Sequence, residues 1–289
     1  MQQAVKETAF AKINLYLEVT GKRPNGYHDL VTVMQSVSLC DSLMLCRLPQ
    51  EGIVLFGGGT LPMDESNLAH RAARAYFAES GAPFGVEITL EKHIPMAAGM
   101  GGGSADAAAV LRGLNRLDGN RFSAAELCRV AERIGADVPF CVLGGTGLCR
   151  GIGEVIRPLE NRLSGSVVVA IGHAGVSTPE AFRALDAAHN DFKNAPPERT
   201  PKELIAALSM GDAKAAAPHF HNMFEAVVEP MRPEVTRWKD IMCAGGADVA
   251  MMSGSGPSVF GLFSDTNAAA QARDALLAAG ARAFLCQMV

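Results

Sequence analysis

One stretch constrains this chain more than any other: Ile94-Pro95-Met96-Ala97-Ala98-Gly99-Met100-Gly101-Gly102-Gly103-Ser104-Ala105-Asp106-Ala107-Ala108-Ala109. Four of its glycines fall within five positions, 99 to 103. The alanine-rich segment 105–117 that follows predicts a helix. Glycine lets a backbone turn sharply and approach a ligand with no Cβ in the way. A helix starting directly afterwards leaves its first N–H groups without intrahelical acceptors and turns its positive dipole end toward the loop. Loop and helix end together suit a phosphate. The alternative is a flexible linker, which is hard to reconcile with a position between a strand (residues 86–90) and a compact small-residue helix. No lysine follows the glycines as a Walker A loop requires, and Gly99-x-Gly101-x-Gly103 misses the G-x-G-x-x-G spacing of dinucleotide folds.

At 289 residues the length suggests about two domains, and 48% hydrophobic content is enough for sizeable cores. With 26 basic and 30 acidic residues the formal charge is −4. There is no basic tract, so no nucleic-acid partner is expected. The seven cysteines are scattered with no C-x-x-C pair, which fits neither a disulfide framework nor a zinc site but does fit free thiols in a reducing cytoplasm. Residues 1–10 lack the apolar core of a signal peptide, and no apolar run is long enough for a membrane helix, so no membrane partner is expected.

Further segments carry candidate chemistry. From Lys12 to Val19 the chain alternates, with Ile13, Leu15, Leu17 and Val19 on one face and Lys12, Asn14, Tyr16 and Glu18 on the other. Period two predicts a half-buried strand. Lys12 and Asn14 therefore share a face, as a solvated pair or as one pointing into a cleft. After the turn at 21–26, Tyr27-His28 either packs or stacks on and hydrogen-bonds a flat ring. Residues 43–56 read as strand. Asn67 precedes a helix over 68–80 closed by Gly81 and suits an N-cap. Lys92, between strand and glycine loop, faces phosphate or solvent. Ser123-Ala-Ala-Glu126 is a capping box. Asp137, in Gly135-Ala-Asp-Val-Pro-Phe140, is either a turn cap or a functional acid, since aspartate is rarely buried alone. Residues 140–148 read as a strand broken by glycines.

In the second half, residues 167–171 read as a strand, and Thr178 as the cap of a helix with Pro179 at its first position. Phe182 lies one turn into that helix. Residues 187–200 are polar and irregular, the best candidate for a mobile loop. Segments 201–208, 219–228 and 235–244 read as helices. Residues 247–263 read as strand, tight glycine loop, strand, and Asp265 caps a final helix over 266–279.

Pro95-x-x-x-Gly99-x-Gly101-Gly102-Gly103-Ser104-Ala105 resembles the phosphate-binding motif of the galactokinase–homoserine kinase–mevalonate kinase–phosphomevalonate kinase (GHMP) superfamily. Gly-Ala-Asp-Val-Pro around Asp137 matches its catalytic aspartate segment, and Ser253-Gly-Ser-Gly-Pro-Ser-Val-Phe260 its third motif. Ala11-Lys12-Ile13-Asn14-Leu15 with Gly26-Tyr27-His28-Asp29-Leu30 is similar to the opening of one branch, whose members phosphorylate a cytidine diphosphate-linked methylerythritol in the non-mevalonate isoprenoid route. Other GHMP kinases share the opening strand type but not the Gly-Tyr-His block.

The resemblance implies an α+β, two-domain GHMP kinase fold: residues 1–155 as an ATP-binding domain like the second domain of ribosomal protein S5, and 156–289 as a ferredoxin-like domain. It implies ATP with Mg²⁺, for which no protein ligand is identified. Pro95, Met96, Ala97, Ala98, Gly99, Met100, Gly101, Gly102, Gly103, Ser104 and Asp106 would hold the phosphates, and Asn67 would approach the adenine. Asp137 would accept or orient the acceptor hydroxyl's proton, with Lys12 as its charge partner. Asn14 and Lys92 would help position substrate, and Tyr27, His28 and Phe182 would hold the cytosine. Asp106, an acid near the phosphates, and Met34, where an aromatic residue would suit the cytidine pocket, depart from the expected pattern. A different GHMP acceptor, or a silent sensor of the same fold, is the alternative. Tyr27-His28 argues against the first and the intact Lys12 and Asp137 against the second. Monomer and homodimer both stay open.

Overall fold

Long strands open the chain, and their length decides how the rest is divided. The computed structural model describes residues 3–58, 61–96, 98–172, 176–189, 192 and 200–289. By internal contact the chain forms two units, one of Met1–Ala11, Leu39–Met96 and Gly101–Gly144, the other of Lys12–Ser38, Ala97–Met100 and Gly145–Val289. Strands β1 (Ala4–Lys22) and β2 (His28–Leu48) contribute to both. The units therefore interleave along the sequence.

In the first unit the sheet order is β3-β4-β2-β1. Strand β3 (Ile53–Gly57) is parallel to β4 (Gly85–Glu91), and β4 is antiparallel to β2 from Ser42 opposite Glu91 to Leu48 opposite Gly85. The strand expected over 43–56 is thus two strands, interrupted at 49–52 where Pro49 lacks an amide for the ladder and Gly52 has φ +147°. Helix α1 (Leu68–Ser80) ends at Gly81 in the left-handed conformation. Helix α2 (Gly102–Leu117) begins three residues before the alanine pattern, because Gly102 and Gly103 are already helical. Buried Glu7 of β1 accepts hydrogen bonds from Arg112 and Arg116, one turn apart on α2, at 3.2 and 2.6 Å and so fixes the helix against the strand. Helix α3 (Ala124–Glu132) carries the expected capping box at Ser123 and Glu126. Of the strand expected over 140–148, residues 140–143 belong instead to helix α4 (Val138–Leu143), while 146–148 beyond the glycines are strand. Short apolar runs do not distinguish the two by period, and Pro139 sits where a helix's first turn tolerates it.

In the second unit β5 (Thr146–Arg150) pairs antiparallel with β2 and with β6 (Val155–Leu159). A separate antiparallel sheet has the order β11-β7-β10-β9, formed by β7 (Ser166–Ile171), β9 (Val249–Met252), β10 (Val259–Phe263) and β11 (Arg282–Gln287). Helices α9 (Pro233–Ala244) and α10 (Thr266–Ala278) pack on it and bury Trp238, Met242, Ala272 and Leu276 with Val168 and Phe263. Helix α5 (Thr178–Ala188) is capped by Ser177, one residue before the expected cap. Helices α6 (Lys202–Met210) and α7 (Ala213–Ala216) follow. The helix expected over 219–228 is instead a 3₁₀ turn (Ala217–His219), β8 (His221–Asn222) and a short α8 (Glu225–Val228). There the chain is used to pair parallel with β1 at Tyr16 and Leu17. Of the irregular stretch 187–200, residues 190–191 and 193–199 lie outside the described residues.

Candidate active site

The first unit builds the head of α2. Its N-cap, Gly101, has φ +68° and supplies no side-chain hydrogen bond. The Ala105 amide reaches the Gly101 carbonyl at 2.8 Å, so the amides of Gly102, Gly103 and Ser104 are the ones left without helical acceptors. Lys92 lies against this end: a Cβ on Gly102 would stand 3.3 Å from its Nζ and 3.0 Å from Ile94 Cγ2. The β2–β4 register explains its place. Ser42 faces Glu91, so the next step along each strand brings Asp41 opposite Lys92.

Lys92 is not a solvated cation. Its ammonium donates to Asp41 Oδ2 in a very short contact and to Asp106 Oδ2 at 2.7 Å. Asp41 is fully buried, and its Oδ1 also accepts the amides of His93 at 2.6 Å and Ile94 at 2.8 Å. Asp106 falls four residues after Gly102, on the same side of α2, and is 3% exposed. Burial pushes its carboxyl up to about 7; the Lys92 charge opposes the rise and the Asp41 charge adds to it.

Asn67 caps α1, its Oδ1 accepting the Ala69 amide at 2.9 Å while Nδ2 donates to the Pro62 carbonyl at 2.8 Å. Asp137 immediately precedes α4, half-buried, and its carboxylate makes no capping hydrogen bond to that helix. Pro95 is buried and Met96 exposed; Ala97 lies outside the described residues.

The second unit holds the rest of the loop. Gly99 has φ +70°, and a Cβ there would lie 3.1 Å from the Gly256 carbonyl oxygen and 3.3 Å from that of Ser253. Only glycine fits both the conformation and the space. Ala98 is buried, and Met100, also buried, accepts the Lys12 amide at 2.9 Å. Lys12 Nζ donates to Asn14 Oδ1 at 2.8 Å, Asn14 Nδ2 donates to Thr32 Oγ1 at 2.8 Å, and Thr32 Oγ1 donates to the Tyr16 carbonyl at 2.6 Å. The Asn14 amide donates to Ser253 Oγ at 3.1 Å. Lys12, Asn14, Tyr16 and Glu18 are all at most 5% exposed, so β1 is buried on both faces here. Hydrogen bonding makes that tolerable: the Asn14 chain serves one end and His221 meets Glu18 at the other.

The expected cytosine-binding residues come together in part. His28 is buried and stacks on Phe182, centroids 4.5 Å apart at 22°. Its Nε2 pairs with Asp186 Oδ1 at 2.6 Å, and Lys22 holds the other oxygen of Asp186 at 2.8 Å. Burial would raise the Asp186 carboxyl, but hydrogen bonds from Lys22 and His28 hold it below the usual carboxylate range. Tyr27 is 60% exposed, and the ring facing Phe182 is that of His28. Met34 is buried in β2 opposite Gly147.

The loop fits a nucleotide's phosphates: uncapped amides at a long helix start, glycines where a Cβ would collide, and a lysine beside them. Among the described residues no three His, Cys, Asp or Glu side chains group to hold a metal. Mg²⁺ in such sites relies largely on substrate phosphates and water.

Residues 67–145 match the GHMP kinases N terminal domain and residues 202–282 the GHMP kinases C terminal domain. The chain is 44% identical over 278 residues to a 4-diphosphocytidyl-2-C-methyl-D-erythritol kinase of Synechococcus sp. strain JA-3-3Ab, covering 95% of this chain and 90% of that one. It is 40% identical to the enzyme of the same name from Caldicellulosiruptor saccharolyticus, over 93% of this chain and 91% of the other. A crystal structure of 4-(cytidine 5'-diphospho)-2C-methyl-D-erythritol kinase superposes with a TM-score of 0.83 at 36% identity, covering 98% and 99%. Homoserine kinase from Cytophaga hutchinsonii, at 22% identity and TM-score 0.79 over 100% of this chain and 95% of that one, shares the fold. The chain belongs to the GHMP kinases and, within them, to the 4-diphosphocytidyl-2-C-methyl-D-erythritol kinase family. It is a phosphotransferase.

Two residues of the site escape a sequence reading. Asp186 had a signal, since it lies four residues after Phe182 on α5 and so on the same side of the helix. Asp41 had none: it meets Lys92 only through the strand register.

Proposed function

We propose that the protein transfers a phosphoryl group from ATP to the 2-hydroxyl of 4-diphosphocytidyl-2-C-methyl-D-erythritol, giving the 2-phosphate and ADP, in the non-mevalonate route to isoprenoid precursors. The observation that carries this reading is identity of 44% along 95% of the chain to a kinase of that name. On this reading residues 1–155 form the ATP-binding domain and 156–289 the C-terminal domain, acting in the cytoplasm.

ATP supplies the phosphoryl group, and Mg²⁺ carried on its phosphates offsets their charge. The amides of Gly102, Gly103 and Ser104, with residues 95–101 as the loop before them, hold the phosphates and stabilise charge that develops there. Asn67 approaches the adenine. Asp137 accepts or orients the proton of the acceptor hydroxyl. Lys12, aimed by its hydrogen bond to Asn14, polarises the hydroxyl oxygen. Tyr27, His28 and Phe182 hold the cytosine, with Asp186 and Lys22 fixing the imidazole. Positioning supplies much of the rate.

Nuclear magnetic resonance of the product tests the assignment. New phosphorus coupling at carbon 2 of the methylerythritol is expected, and a phosphate on any other carbon overturns the regiochemistry.

A further inference from the structure

Asp41, Lys92 and Asp106 set two carboxylates against one ammonium at the head of α2, where the proposed reading puts a polyphosphate. The two arms are unequal. Asp41 is satisfied at both oxygens, by two amides and by Lys92. Asp106 uses Oδ2 for Lys92, while its buried Oδ1 has no hydrogen-bond partner among the described residues. A buried carboxylate oxygen without a donor is costly as long as the group is charged. Lys92 from the segment after β4 and Asp41 from β2 are the charged groups that act on Asp106; α1, α3 and α4, which also pack on α2, add none.

With both carboxylates ionised the trio carries a net charge of −1, one turn inside a helix end that would receive an anion. With one proton added it is neutral, and the ammonium beside Gly102 is no longer outweighed. Adding phosphate charge nearby raises the proton affinity of the pair, and by reciprocity a proton on the pair tightens phosphate binding.

We propose that nucleotide binding at the head of α2 is coupled to uptake of one proton by the Asp41–Asp106 pair at Asp106, so that these aspartates act as positioning residues that set how much of the Lys92 charge reaches the phosphates. The inference rests on the reading that the glycine loop holds the phosphates of ATP. It gives the acid at position 106 a role: it is neutral when the nucleotide is bound.

The test is calorimetric titration of the whole protein with ADP between pH 7 and 9, in buffers of different ionisation heat, for the wild type and for Asp106→Asn. The wild type should take up close to one proton per ADP near pH 8, with Kd rising by up to about tenfold per pH unit. Asp106→Asn, a permanently neutral mimic, should take up only what the nucleotide itself binds. Its Kd should be nearly flat with pH, and at pH 9 it should bind ADP more tightly than the wild type, whereas a merely structural role predicts weaker binding. Equal proton uptake by the two proteins overturns the inference and leaves the nucleotide site standing. No ADP binding by the wild type overturns both. Should the variant not fold, the wild-type profile decides alone, and a Kd independent of pH between 7 and 9 overturns the inference.

Discussion

Replacing Asp41 separates its two jobs. Alanine removes the acceptor for the His93 and Ile94 amides as well as one carboxylate of Lys92. The His93 amide belongs to an exposed residue and regains water, but Ile94 is 1% exposed and its amide stays dry. An orphaned buried donor costs about 1–3 kcal/mol. Lys92 keeps Asp106, so its loss falls below the about 3–5 kcal/mol of a buried pair broken outright. The expected total for Asp41→Ala is about 3–5 kcal/mol. Asp41→Asn keeps an acceptor oxygen for the amides and loses only the charge, for about 1–2 kcal/mol. Urea unfolding followed by far-ultraviolet circular dichroism at pH 8 should therefore order the midpoints as wild type, then Asn, then Ala, with about 2 kcal/mol between the variants. Coincident midpoints for the two variants would refute the assignment of the amide bonds as the larger share.

Asp137→Asn should reduce turnover by at least about a thousandfold while ADP binding, measured by calorimetry, is retained; wild-type turnover would remove Asp137 from the chemistry. Changing Tyr27 and His28 together to alanine should raise KM for the cytidylated alcohol far more than KM for ATP in steady-state kinetics, and equal rises would mean that the pair only packs. Gly99→Ala forces a side chain to φ +70° against two carbonyl oxygens and should cost at least about 1–2 kcal/mol in unfolding experiments, together with ATP affinity. Asn67→Ala removes a helix cap and should cost about 1 kcal/mol of stability, while a simultaneous rise in KM for ATP would support its approach to the adenine.

What the sequence made legible was local chemistry. The glycine run, the Ser123–Glu126 box and the Asp265 cap each state a backbone requirement within a few residues, and each element stands where expected. Residues 140–143 of the strand expected over 140–148 are helical because a short apolar run has no deciding period, and the helix expected over 219–228 is broken where His221 and Asn222 pair with β1. Alternation in β1 gave the strand but not the burial of its polar face, which depends on Ser253, far along the chain, and Thr32 meeting Asn14. Lys92 shows the same limit. A lysine before a phosphate loop reads as a free cation, and only the pairing of β2 with β4 shows two aspartates holding it.

The most direct measurement is ADP release in a coupled assay with ATP, Mg²⁺ and 4-diphosphocytidyl-2-C-methyl-D-erythritol, run beside mevalonate, homoserine and galactose. Turnover with the cytidylated alcohol alone is the predicted result. Turnover with one of the other alcohols, and not with the cytidylated one, would keep the kinase fold and contradict the substrate assigned to Tyr27, His28 and Phe182.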